Sequence, residues 1–132
     1  MSGHAANCVE RYLELANIDR TKLKRVNTPC LDEHALTDSD YEARGDLADV
    51  AAKIVLKVLY LAHVTRPDLL WTVNSLAREV TKWTRASDKR LFRLICYLES
   101  SKNFVQFCFV GDDFGDLSLA IVLRCFILRR RP

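Results

Sequence analysis

The chain has 132 residues, 49% of them hydrophobic and 28% charged, with a formal net charge of +3. That size suits one small globular domain burying about two-thirds of its unfolded surface, and the charge is too mild to establish nucleic-acid binding by itself. No apolar run reaches membrane-spanning length, no basic start followed by an apolar run marks a secretory signal, and five cysteines form no paired framework; a soluble intracellular protein with free thiols, cytoplasmic or nuclear, is expected.

In chain order, residues 1–31 open with a short amphipathic helix over 8–17, where Val9, Tyr12, Leu13 and Ala16 share a face and Asn17 supplies the stop. Arg20, Lys22, Lys24 and Arg25 then form a basic patch ahead of Thr28-Pro29, an extended connection because the residue before proline avoids the helix. Residues 32–46 reverse the sign with Asp32, Glu33, Asp38, Asp40, Glu42 and Asp46, and predict a solvated acidic linker. These carboxylates lack the fixed spacing and turn glycine of a calcium loop.

Residues 47–101 carry the strongest pattern, three helix-period segments that predict one shared core. The first places Leu47, Val50, Ala51, Ile54, Val55, Val58, Leu59 and Ala62 on one face. The second starts with Thr65 as cap, Pro67 in the first turn and Asp68 three residues after the cap, and repeats Leu69, Leu70, Val73, Leu76, Ala77 and Val80. The third offers Ser87 as cap beside Asp88, then Leu91, Leu94, Ile95 and Leu98. Arg78, Lys82, Arg85, Lys89, Arg90 and Arg93 gather around Trp83 on the second and third segments. This is either an ordinary solvated face or a positive ridge with one stacking aromatic that follows a phosphate backbone.

Residues 102–132 change period. Phe104 to Val110 and Leu117 to Val122 flank a Gly-Asp-Asp-Phe-Gly-Asp turn, which predicts a terminal β-hairpin. Gly-Asp-Asp on a hairpin resembles the two-metal site of viral RNA polymerases, but no second aspartate-bearing strand accompanies it and aspartate and glycine are ordinary turn residues.

Several of these stretches, taken together, resemble Copia-type (LTR) retrotransposon Pol polyproteins. The run Lys57-Val58-Leu59-Tyr60-Leu61-Ala62 matches that family's S-L-L-Y-L-A helix, Thr65-Arg66-Pro67-Asp68-Leu69 its T-R-P-D-I helix start, and Lys89-Arg90-Leu91 with Arg93-Leu94 and Tyr97-Leu98 its K-R-I-L-R-Y-L helix. Asn74 after Val73, the Tyr12-Leu13-Glu14 stretch and Val26-Asn27-Thr28-Pro29 fit the same order. The resemblance implies the connection, or thumb-like unit, between reverse transcriptase and RNase H. Residues 1–31 would then be the end of the palm, 47–101 a three-helix thumb-like unit and 102–132 the truncated start of an RNase H-like domain. It also implies that Thr65, Arg66, Pro67, Asp68 and Asn74 are structural motif residues, and that the basic ridge contacts an RNA or DNA template–primer duplex. Where the family continues into Tyr-Ser-Asp, this chain reads Val122-Leu123-Arg124-Cys125. Codons for these four residues can be chosen that give Tyr-Ser-Asp-Ala one base out of frame, so a frameshift is expected here.

Neither metal-binding carboxylate set of the family is present, and no phosphate loop, G-x-S-x-G or H-E-x-x-H occurs. No catalysis by the chain on its own, no cofactor and no metal are expected. His4, Cys8, Cys30 and His34 would suffice for zinc, but their spacing is that of chance. His63 reads as a loop residue and Cys96 as a small apolar group on the core face. The expected function is a fragment of a Copia-like polyprotein with residual nucleic-acid contact; the alternatives are a small helical protein-interaction module and a pseudogene product without function.

Overall fold

The computed structural model describes residues 2–104, and within them the chain is mainly helical. Helix α1 spans Ser2–Ala16, the short α2 Asp38–Glu42, α3 Ala51–Val64, α4 Leu70–Glu79 and α5 Arg85–Ser100. The expected terminal hairpin and the RNase H-like start lie outside the described residues from 105 onward.

The three apolar faces of residues 47–101 meet as their periodicity dictates. Ile54, Val55 and Val58 of α3, Val73 and Leu76 of α4, and Leu91, Leu94, Ile95 and Leu98 of α5 are all buried. Three helices do not close this core. Helix α1 packs against both α3 and α5, while α4 packs against both from the other side, and Ala5, Cys8, Val9 and Tyr12 enter the same cluster. The expected boundary between 1–31 and the helical unit is therefore corrected: α1 is the fourth wall. It also begins earlier than expected, because Ala5 is buried and His4 Nε2 lies 3.4 Å from the Lys57 carbonyl oxygen, with its ring edge-on to Tyr60. Its end matches expectation, with Asn17 left-handed at φ 53.

The helix starts shift for tertiary reasons. Gly45 N–H donates to the Trp83 carbonyl and Arg85 N–H to the Ala43 carbonyl, at 3.2 and 3.0 Å. This antiparallel bridge of Arg44 with Thr84 holds Thr84 extended. Thr84, not Ser87, is thus the N-cap of α5 and accepts from the Ser87 amide at 3.4 Å. Ser87 is fully buried and donates its hydroxyl to Glu79. Thr65 ends α3 instead of starting α4, donating back to the Leu61 carbonyl, and a 3-10 turn over Pro67–Leu69 leads into α4.

The acidic linker is corrected as well. Thr37 and Asp40 close a reciprocal capping box at the start of α2, and Asp40 is buried with Lys89 Nζ 2.7 Å from its carboxylate. The Lys89 bond, then the Thr37 amide, hold the Asp40 carboxyl down to about 2. This stretch is docked on α5.

Gly45 marks a close approach of this stretch to the start of α5. A Cβ there would stand 2.6 Å from both the Thr84 carbonyl oxygen and Trp83 Cδ1, and 2.8 Å from Asp88 Oδ2. Because one neighbour is backbone, little can yield. Gly45→Ala is expected to cost about 1–3 kcal/mol, read as a lower urea midpoint by circular dichroism; an unchanged midpoint would contradict the close approach.

Candidate nucleic-acid interface

The ridge expected from the sequence divides once the ion pairs form. Lys89 is engaged by Asp40. Arg90 pairs with Glu79 at 2.8 Å and stacks over the Tyr41 ring at 5.8 Å. Arg93 donates to the carbonyl and hydroxyl of Thr28, clamping the 18–36 loop to α5. Trp83 is 4% exposed and its indole N–H donates to Asp88, so it cannot stack on a base. These four residues hold the fold together.

Arg78, Lys82 and Arg85 remain. All three are exposed and enter no ion pair among the described residues. They occupy one corner, where α4 passes through a 3-10 turn, Val80–Lys82, into α5. Arg78 lies on the outer stripe of α4 with Ser75 and Trp71, at i, i+4 and i+7, opposite the buried Thr72, Val73 and Leu76. Trp71 is 71% exposed, the most exposed of the large apolar side chains among the described residues. A ring that large left in water beside free cations is the combination a single strand uses, phosphates on the cations and a base on the ring. The sequence signal for Trp71 was its phase: it falls off the 69, 70, 73, 76, 77 repeat.

Thr65, Arg66, Pro67 and Asp68 lie at the junction of α3 and α4, and Asn74 lies on α4. Arg66 and Asp68 form a buried two-bond pair, Nε to Oδ1 at 3.1 Å and a terminal nitrogen to Oδ2 at 2.9 Å. Pro67 opens the 3-10 turn, Thr65 ends α3 and Asn74 is half-buried on α4. Tyr97 donates to Asp68 at 2.7 Å, and Arg66 reaches the carbonyl and hydroxyl of Ser101. The α3–α4 junction is thereby tied to the end of α5.

Among the described residues no cluster of three or more histidine, cysteine or acidic side chains is placed to hold a metal, and no helix is long and apolar enough to cross a membrane. Cys8 is buried on α1, which pushes its thiol up to about 11, and Cys30 contacts the Thr72 hydroxyl at 3.2 Å. No protein-family model, curated protein or solved structure matches the chain.

Proposed function

We propose that this chain is a connection segment of a Copia-type Pol polyprotein, with no catalytic centre of its own, and that it contacts nucleic acid through the α4–α5 corner. The order of its T-R-P-D, Val-Asn and Lys-Arg-Leu elements supports the family. The observation that carries the contact is the shared outer stripe of Trp71 and Arg78, with exposed Lys82 and Arg85 following in the turn and at the start of α5.

The test is fluorescence anisotropy with a labelled single strand and a primer–template duplex across a salt series. Three phosphate contacts predict a slope of log affinity against log salt of about −2.7 on duplex and about −2 on single strand. Replacing Arg78, Lys82 and Arg85 with glutamine is expected to flatten it. Trp71→Ala is expected to weaken single-strand binding roughly fivefold to a hundredfold while leaving the slope unchanged. Salt-independent binding, or none, overturns the proposal.

A second reading has its own observation. Leu56, Tyr60 and Val64, at i, i+4 and i+8 of α3, are 60%, 57% and 45% exposed, an apolar stripe of the kind that pairs with another chain. A dimer on size-exclusion chromatography with no anisotropy change would favour that module.

A further inference from the structure

A cleft of about 510 Å³ opens between the end of α1, the 18–36 loop and α5, within the ~300–1,000 Å³ range of small-ligand sites. Its walls are Ala16, Ile18, Val26, Leu31, Leu47 and Phe92. The floor is different. Tyr12 and Cys96 line it while being 2% and 1% exposed.

Every fully enclosed polar side-chain atom among the described residues has a hydrogen-bond partner. The Tyr12 hydroxyl has no partner among them, and Tyr12 is one of the residues that line the cleft. A buried hydroxyl in that position leaves a bond unmade unless something in the cleft supplies it. Burial, with Asp88 and Cys96 nearby, pushes its pKa up, so it stays protonated and able to donate.

At the mouth the charges are mostly used. Lys89 is held by Asp40 and Arg93 by Thr28. Asp88 accepts from the Trp83 indole and the Asp46 amide. Asp46 is exposed at the rim, and so is Lys24, which has no ion pair among the described residues. An anionic group is favoured at Lys24 and disfavoured beside Asp88.

We propose that this cleft binds a small planar aromatic acid, its ring between the apolar walls, its acid group at Lys24 and a hydroxyl or carbonyl at its far end bonded to Tyr12. The site is separate from the α4–α5 corner and does not depend on nucleic-acid binding.

The probe is 6-hydroxynaphthalene-2-sulfonate, whose hydroxyl and sulfonate lie at opposite ends of a flat ring, titrated by its own fluorescence into the full chain. Saturable binding at one site is expected. Tyr12→Phe should weaken it about threefold to tenfold, the worth of one hydrogen bond, and Lys24→Ala should weaken it without altering the melting curve. Naphthalene-2-sulfonate, which lacks the hydroxyl, should bind the unaltered chain about threefold to tenfold more weakly than the hydroxylated probe, a comparison that needs no variant. Absence of saturation at millimolar probe, a stoichiometry above one, or equal affinity of the two probes for the unaltered chain overturns the proposal.

Discussion

Arg66→Ala is expected to lower the unfolding free energy by about 3–5 kcal/mol, the range for breaking one half of a buried ion pair. Arg66 is 7% exposed and its guanidinium makes four hydrogen bonds, to both oxygens of Asp68 and to the carbonyl and hydroxyl of Ser101, at 2.7–3.2 Å. Alanine leaves the Asp68 carboxylate, whose side chain is 12% exposed, with the Tyr97 hydroxyl as its remaining side-chain donor. Burial by itself would raise the Asp68 pKa; the Arg66 bonds and then Tyr97 outweigh it and hold it below the usual carboxylate value. A depressed carboxylate stabilises the fold above its unfolded pKa and loses that contribution as pH falls through the folded value. In the variant that contribution is gone, so its deficit against the unaltered chain is expected to be largest at neutral pH and to narrow as pH falls. Arg66→Lys keeps the charge without the planar fork and should fall between the two. Urea melts by circular dichroism at neutral and acidic pH decide the matter, and a change under about 1 kcal/mol would show the pair to be worth no more than a surface one.

The same pair illustrates what the sequence could and could not say. Apolar periodicity is local, so α3, α4 and α5 and their buried positions were legible: Ile54, Val58, Val73, Leu76, Leu91 and Leu94 are all in the core. The starts of α4 and α5 were not, because the residues that read as their helix-start signals are taken by other partners. Asp68, expected as a helix-start acid, is taken by Arg66 and Tyr97, and Ser87, expected as a cap, is taken by Glu79.

Charge was legible only as a sum. Six cations on two helices have equal standing in a sequence. In the fold Lys89 meets Asp40, 49 positions earlier, and Arg90 meets Glu79, which reduces the expected seven-residue ridge to Arg78, Lys82 and Arg85. Trp83 was misjudged by its neighbours. It stands among basic residues in the chain, but the bridge at Arg44 and Thr84 brings its carbonyl to Gly45 and its indole to Asp88. Trp71 needed only its phase on α4 to be seen as outward-facing.

Removing residues 1–17 is expected to abolish cooperative unfolding. Within α1, Cys8, Val9 and Tyr12 are 1%, 1% and 2% exposed, and returning one such side chain to water costs about 1.5–3 kcal/mol. The loss also uncovers the faces of α3 and α5 that α1 packs against, so the total approaches the roughly 5–15 kcal/mol that holds a small domain together. A three-helix remnant would keep part of its helical far-ultraviolet signal, since α3 and α4 still meet each other, while losing the sharp urea transition and gaining dye-accessible apolar surface. If the remnant instead unfolds as steeply as the whole chain, residues 47–101 form a self-sufficient unit and α1 is an accessory. Val9→Ala in the untruncated chain separates these outcomes on a smaller scale. With α1 as a wall of the core it should shift the midpoint about as much as Val58→Ala on α3, and with α1 as an accessory it should shift it hardly at all.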